Sequence, residues 1–204
     1  MEWDAFLPHV LPSAQSCPDA LAIDHVIKAA RRFCEETLAW NYECEPILSA
    51  ALVKDYALQL GDGEELVRIM GATVAGRDVD VLRGTAGRAA ARQRRSTSFI
   101  YMASGQLSFS VNPVPGAEGI EILTDIAVRP ALTSQEWPDD LAQHVADIAH
   151  GAIATLCLLP RRDWSDNTLA MAQGGLFERR IDSVKRDVER GYGRSKRPHV
   201  SSWM

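Results

Sequence analysis

The stretch Trp137–Tyr192 reads WPDDLAQHVADIAHGAIATLCLLPRRDWSDNTLAMAQGGLFERRIDSVKRDVERGY, two apolar-periodic runs on either side of a Pro-Arg-Arg-Asp-Trp-Ser turn. In the first run Leu141, Val145, Ile148, Ala149, Ala152, Ile153, Leu156 and Leu159 recur at three- and four-residue steps, which places them on one face of a 3.6-residue helix. Pro138 suits a first-turn position, where a missing N–H costs nothing, and Pro160 stops the far end. Ser165 is predicted to cap the second run, whose stripe is Leu169, Ala172, Leu176, Phe177, Ile181, Val184 and Val188, and Gly191 marks its end. Two helices joined by about five residues run antiparallel and bury their stripes against each other and against a further element. Trp164, in the turn, is expected to be structural.

The further element lies upstream. From Cys17-Pro18-Asp19 to Trp40 the residues Ile23, Val26, Ile27, Ala30, Phe33, Cys34, Thr37 and Leu38 form one stripe, with Lys28, Arg31 and Arg32 on the opposite face. Pro18 fits the first turn and Asp19 the positive end of the dipole. A helix over 18–40 would be about 35 Å long at 1.5 Å per residue, a natural third bundle member. Ahead of it, Trp3, Phe6, Leu7, Val10 and Leu11, broken by Pro8 and Pro12, predict an arm or short helical turn that packs.

Between Ile47 and Val128 the period shifts toward two. Strands are predicted around Val53–Leu60, Leu66–Val74, Val79–Leu82, Ser98–Met102, Gln106–Val111 and Ile120–Val128, with turns at Gly61-Asp62-Gly63, Ala75–Asp78, Ser104-Gly105 and Asn112–Gly116. Leu107, Phe109 and Val111 alternate with Gln106, Ser108 and Ser110 as the clearest half-buried strand. The arginine-rich segment 85–95 is predicted to be a short exposed helix or a mobile loop. The fold class is therefore α+β: a long-helix bundle, made of the N-terminal helix and a C-terminal helical hairpin, with an inserted antiparallel sheet or small sandwich and a flexible C-terminal tail. The expected segments are 1–45, 46–130, 131–192 and the basic tail 193–204.

The sequence has 204 residues, 46% apolar and 24% charged, the balance of an ordinary globular protein. Folding a chain of this size buries roughly 70% of its extended surface, enough to build a core. Lys and Arg number 22 against 27 Asp and Glu, a net charge of -5, which argues against generic nucleic-acid or membrane-surface binding by the whole chain. Cys17, Cys34, Cys44 and Cys157 form no CxxC pair and read as reduced, buried thiols. No basic region followed by an apolar run opens the sequence and no apolar run reaches about 20 residues, so cytosolic synthesis and no membrane span are expected.

Candidate chemistry is sparse. His144, Asp147 and His150 stand at i, i+3 and i+6, where 100° per residue spreads them over about 120° of helix, so they read as polar residues flanking the stripe. A small metal-dependent enzyme would have to use them. Gly61-Asp62-Gly63 and Gly84–Gly87 lack the strand, turn and helix context and the Lys-Ser/Thr of a phosphate loop. No Gly-x-Ser-x-Gly elbow is present. The acidic pairs Glu35-Glu36, Glu64-Glu65 and Asp139-Asp140 read as solvated. No enzymatic activity, metal or cofactor is expected.

The basic end carries more. Over 178–197, eight basic residues (Arg179, Arg180, Lys185, Arg186, Arg190, Arg194, Lys196 and Arg197) meet four acidic ones, an excess of four positive charges. The helix dipole accounts for part of this; the aperiodic tail does not need it. With His199 and Trp203, the residues Arg194, Lys196 and Arg197 suit an arm, expected to be disordered alone, that orders on a partner with Trp203 as anchor. A nucleic-acid-binding role through the same basic helix end is the alternative, and it predicts steep salt dependence.

Order and spacing then suggest a family. Trp3-x-x-Phe-Leu-Pro-x-Val-Leu-Pro12, the Cys17–Trp40 helix with its Phe33-Cys34-x-x-Thr37-x-x-Trp40 end, the β-rich middle, Leu159-Pro-Arg-Arg-Asp-Trp-Ser-Asp166 and Phe177-Glu-x-x-Ile181 before a basic tail resemble the head-to-tail adaptor, or connector, proteins of tailed bacteriophages. The resemblance covers nearly the full length. It implies a structural virion protein of the neck, made in the host bacterial cytoplasm, that forms a homo-oligomeric ring of twelve subunits docked beneath the portal protein. Helices would form the ring wall and the β part would face the downstream tail protein. Packaged DNA would pass through the ring, and Arg194, Lys196, Arg197, His199 and Trp203 would contact the portal. Another tail-completion role is the neighbouring possibility.

Overall fold

The computed structural model describes residues 1–83, 98–102 and 107–191. The arginine-rich segment 85–95, the Ser104-Gly105 turn, Gln106 and the tail 193–204 lie outside the described residues. The protein is mixed α+β, and its described residues fall into two compact units, one of 1–41, 62–65 and 128–191 and the other of 42–61 and the described part of 66–127.

The first unit is helical. A 3-10 turn at Trp3–Phe6 leads into α1 (Leu7–Val10), followed by α2 (Asp19–Thr37); a 3-10 turn at Asp139–His144 leads into α3 (Val145–Cys157), and α4 (Asn167–Glu189) closes it. Helix α3 is the centre: Val145, Ile148, Ala149, Gly151, Ala152, Ile153, Ala154, Leu156 and Cys157 are all buried, so it is covered on nearly every side. It packs against α1, α2, α4 and both 3-10 turns, and α2 packs against α4. The stripe of α2 is buried as its spacing requires, from Val26 and Ile27 through Phe33 and Cys34 to Thr37. One aromatic cluster joins the ends of this unit: Trp137 meets Trp3 at 5.8 Å, Phe6 edge-on at 6.2 Å and Trp40 edge-on at 6.2 Å.

Local signals shift several boundaries. Pro18 is the N-cap of α2 and not its first turn, and the helix ends at Thr37 and not Trp40. There Leu38 turns left-handed (φ 57°) and its N–H donates to the Cys34 carbonyl, while Thr37 Oγ1 donates to Phe33 O at 2.7 Å and accepts from Ala39 N at 3.2 Å. Ala39 N–H is thus spent on the Thr37 hydroxyl and not on the Glu35 carbonyl, so the helical ladder stops there. Ser165 is not the cap of α4: Asp166 is, its Oδ1 accepting from Leu169 N at 2.9 Å, while Ser165 Oγ donates to Leu159 O and accepts from Arg162 N. The first arm of the hairpin is helical in two pieces, because Pro138 caps a 3-10 segment before α3 begins. On α4 only Ala170, Phe177 and Ile181 are buried; Ala172 and Leu176, assigned to the core stripe by spacing, face outward. Trp164 is half-buried, with the Arg162 guanidinium 5.9 Å from its ring centre.

The remaining elements are strands: β1 (Asn41–Glu43), β2 (Ile47–Leu48), β3 (Asp55–Ala57), β4 (Glu64–Val74), β5 (Arg77–Asp78), β6 (Asp80–Arg83), β7 (Phe99–Met102), β8 (Ser108–Asn112) and β9 (Glu121–Pro130). One sheet has the order β1-β9-β4-β5, with β2 also on β9; the other is β3-β8-β7-β6. Ala75 and Gly76, both at positive φ, make the two-residue turn of the β4–β5 hairpin, the backbone that right-twisted strands favour. The second sheet is not wholly antiparallel, because β6 runs parallel to β7. On β8 Phe109 and Val111 are buried as alternation requires, but Leu107 lies before the strand and is 53% exposed.

Candidate interaction surfaces

His144, Asp147 and His150 do not converge. Asp147, nearly buried, accepts from Arg180 Nε at 2.9 Å and lies 3.3 Å from His144 Nδ1, while His150 Nδ1 pairs with Gln173 Oε1. Two of these contacts cross from α3 to α4, so the trio locks the helical hairpin; among the described residues no cluster of three His, Cys, Asp or Glu could hold a metal ion. All four cysteines are free and buried, and burial pushes the Cys17, Cys34 and Cys157 thiols up, away from the thiolate a nucleophile needs. No helix among the described residues is long and apolar enough to cross a membrane.

The acidic pairs expected to be solvated are partly engaged. Glu65 accepts from Arg31 at 2.8 Å and from Arg129 at 3.1 Å, Glu35 pairs with Arg129 at 2.8 Å, and Glu36 with Arg32 at 2.6 Å. The hydrogen bond from Arg31, joined by Arg129, holds the Glu65 carboxyl below the ordinary carboxylate range. Arg31 also donates to the Pro130 carbonyl at 2.6 Å, so this arginine, placed by spacing on the solvent face of α2, is mostly covered. The network ties α2 to the ends of β4 and β9.

What the structure leaves uncommitted is surface. On α4, Met171 is 78% exposed, Leu176 is 36% exposed, and Ala172 and Gly175 are exposed beside them. No charged residue occurs from Asn167 to Phe177. Farther along, Arg180 is bound to Asp147, but Arg179, Lys185 and Arg190 are exposed and form no ion pair among the described residues. The portal-contact candidates Arg194, Lys196, Arg197, His199 and Trp203 lie outside the described residues.

The second unit carries an apolar tip. Leu52, at φ 63° and 83% exposed, donates its N–H to Pro115 O, and Ser49 laces the same two loops by accepting from Ile120 N and donating to Ala117 O. Val53 and Val114 stand on these loops too, and Leu48 (66% exposed) ends β2 just before the first of them. Beside them a cleft of about 630 Å³ is lined by Val74, Arg77, Asp80, Val111, Pro113 and Val114 among others. Spacing alone missed both surfaces; the available signals were the charge-free half of α4 and the run of Leu48, Leu52 and Val53 between short strands. The sequence matches no protein-family model and no curated protein.

Proposed function

We propose that this chain is a head-to-tail adaptor of a tailed bacteriophage, a structural subunit whose copies form a ring between the portal and the tail. Its architecture in this reading is a helical bundle of α2, α3 and α4 with the β-rich unit inserted between the first and second of them. The observation that carries the reading is that each unit exposes apolar side chains on its own rigid frame: Met171 and Leu176 on α4, Leu48, Leu52 and Val114 on the loop tip. A subunit clasped by neighbours of its own kind and by a second protein covers both surfaces. The helical unit supplies the ring wall, the loop tip meets the downstream tail protein, and the basic tail with Trp203 reaches the portal. Residue order from Trp3 to Ile181 supports the same family.

The test uses DNA-filled heads made without this protein. Full-length protein is expected to restore joining to tails, counted by electron microscopy and by infectious titre. A chain lacking 193–204 is expected to keep its thermal midpoint and to lose attachment to heads. Heads that full-length protein does not join to tails contradict the adaptor reading; normal attachment of the shortened chain contradicts the role given to Arg194, Lys196, Arg197, His199 and Trp203.

A further inference from the structure

We infer that the outward face of α4 in one copy of this chain docks onto an acidic groove beside the first 3-10 turn of the next copy. This rests on the ring reading and names the two surfaces that would close the ring. Both lie in the helical unit.

Consider α4 first. At 100° per residue, Thr168, Met171, Ala172, Gly175, Leu176 and Arg179 share an arc of about 140° opposite Ala170, Phe177 and Ile181. Arg186 and Arg190 continue the same arc toward the C-terminus, with Asp182 and Glu189 at one margin. The face is thus apolar in its first half and basic in its second. Gly175 adds to this. A Cβ built there meets no described residue within 4 Å and its φ is not positive, so no contact among the described residues requires glycine, although glycine weakens a mid-helix position relative to alanine. At Gly151, by contrast, a Cβ would stand 2.8 Å from the Phe177 ring, an internal reason for glycine. The outward glycine leaves a flat patch that another copy can approach closely.

The complementary surface is a groove of about 450 Å³ whose lining includes Ile23, Ile27 and Ser134 together with the carboxylates of Glu2, Asp4 and Glu136. Among the described residues neither Lys nor Arg lines it. Glu2, Asp4 and Glu136 are exposed and form no ion pair among the described residues, as do Arg179 and Arg190 on α4. A groove that sets Ile23 and Ile27 beside three acidic residues therefore matches an apolar patch that runs into a basic one. Because the two surfaces are different, the contact is head-to-tail, and a head-to-tail contact whose rotation closes makes a ring. A pairing of α4 with α4 would give the basic half no acidic partner of this kind.

Charge exchange tests this. One variant carries Arg179→Glu, Arg186→Glu and Arg190→Glu; a second carries Glu2→Lys, Asp4→Lys and Glu136→Lys. Assembly is read by light scattering with and without portal protein, and circular dichroism verifies the fold. Each variant alone is expected to associate with itself about tenfold more weakly or worse. An equimolar mixture is expected to recover assembly, because each copy then offers the surface its neighbour lacks, and so is a chain carrying all six substitutions. Met171→Asp, which leaves the charges alone, is expected to weaken assembly too. Variants that assemble like the parent, or a mixture that recovers nothing, overturn the docking. A parent chain that never assembles, alone or with portal, overturns the ring reading beneath it.

Discussion

Replacing Trp137 by alanine is expected to lower the unfolding free energy by about 3–5 kcal/mol, the usual cost of removing a fully buried large aromatic. Trp137 is 1% exposed and is the common member of the aromatic cluster, touching rings from the N-terminal 3-10 turn (Trp3, Phe6) and from Trp40, three residues past the end of α2. Its Nε1 donates to Leu141 O at 3.2 Å, so the ring also holds the 3-10 turn that starts α3. The cavity cannot collapse easily, because three separate segments border it and each is anchored elsewhere. Trp3, for example, donates from Nε1 to Ser134 O at 2.9 Å. Urea denaturation followed by circular dichroism measures the loss. A loss below about 1 kcal/mol would show that the cluster does not organise the helical unit.

Gly151→Ala is expected to destabilise by up to about 2 kcal/mol although alanine is the better helix former. Intrinsic propensity favours the substitution by about 1 kcal/mol, whereas overpacking a tight core costs about 1–3 kcal/mol. Sterics should win at this site, because the new Cβ would lie 2.8 Å from Phe177 Cε1 and the ring has nowhere to turn. Phe177 is buried, stacked 6.4 Å from Phe33, with the Arg32 guanidinium 5.6 Å from its centre and held in turn by Glu36 and Glu178. Gly175→Ala, on the same helix pair but facing outward, serves as the control and is expected to gain up to about 1 kcal/mol. Equal effects at the two sites would contradict the close α3–α4 crossing.

The helices were readable because their signal is local. The stripe from Val26 to Thr37 and that from Leu141 to Leu156 are buried nearly residue for residue, since a 3.6 period admits one apolar face. Their ends were harder. Ser165 and Asp166 both have capping chemistry, and only the fold shows that Ser165 is spent on Leu159 and Arg162. Leu38 ends α2 in a left-handed conformation that a leucine does not advertise. On α4, Leu176 and Ala172 fit a core stripe as well as Phe177 and Ile181 do, but α2 and α3 together cover only the side that carries Ala170, Phe177 and Ile181. The parallel β6–β7 pair was not legible because a local period of two marks a strand but fixes neither its partner nor the direction in which the partner runs, even for these consecutive strands. The same reason hid the meeting of Trp3, Trp40 and Trp137. As for the candidate surfaces, the sequence showed which residues are basic, but not that Arg180 is tied to Asp147 while Arg179 and Arg190 remain available.

The most direct measurement is the solution mass by light scattering, of the protein alone and after mixing with the portal protein of the same genome. The adaptor account predicts either a ring or a monomer that joins the portal in fixed stoichiometry. A monomer that stays a monomer and ignores the portal would contradict it.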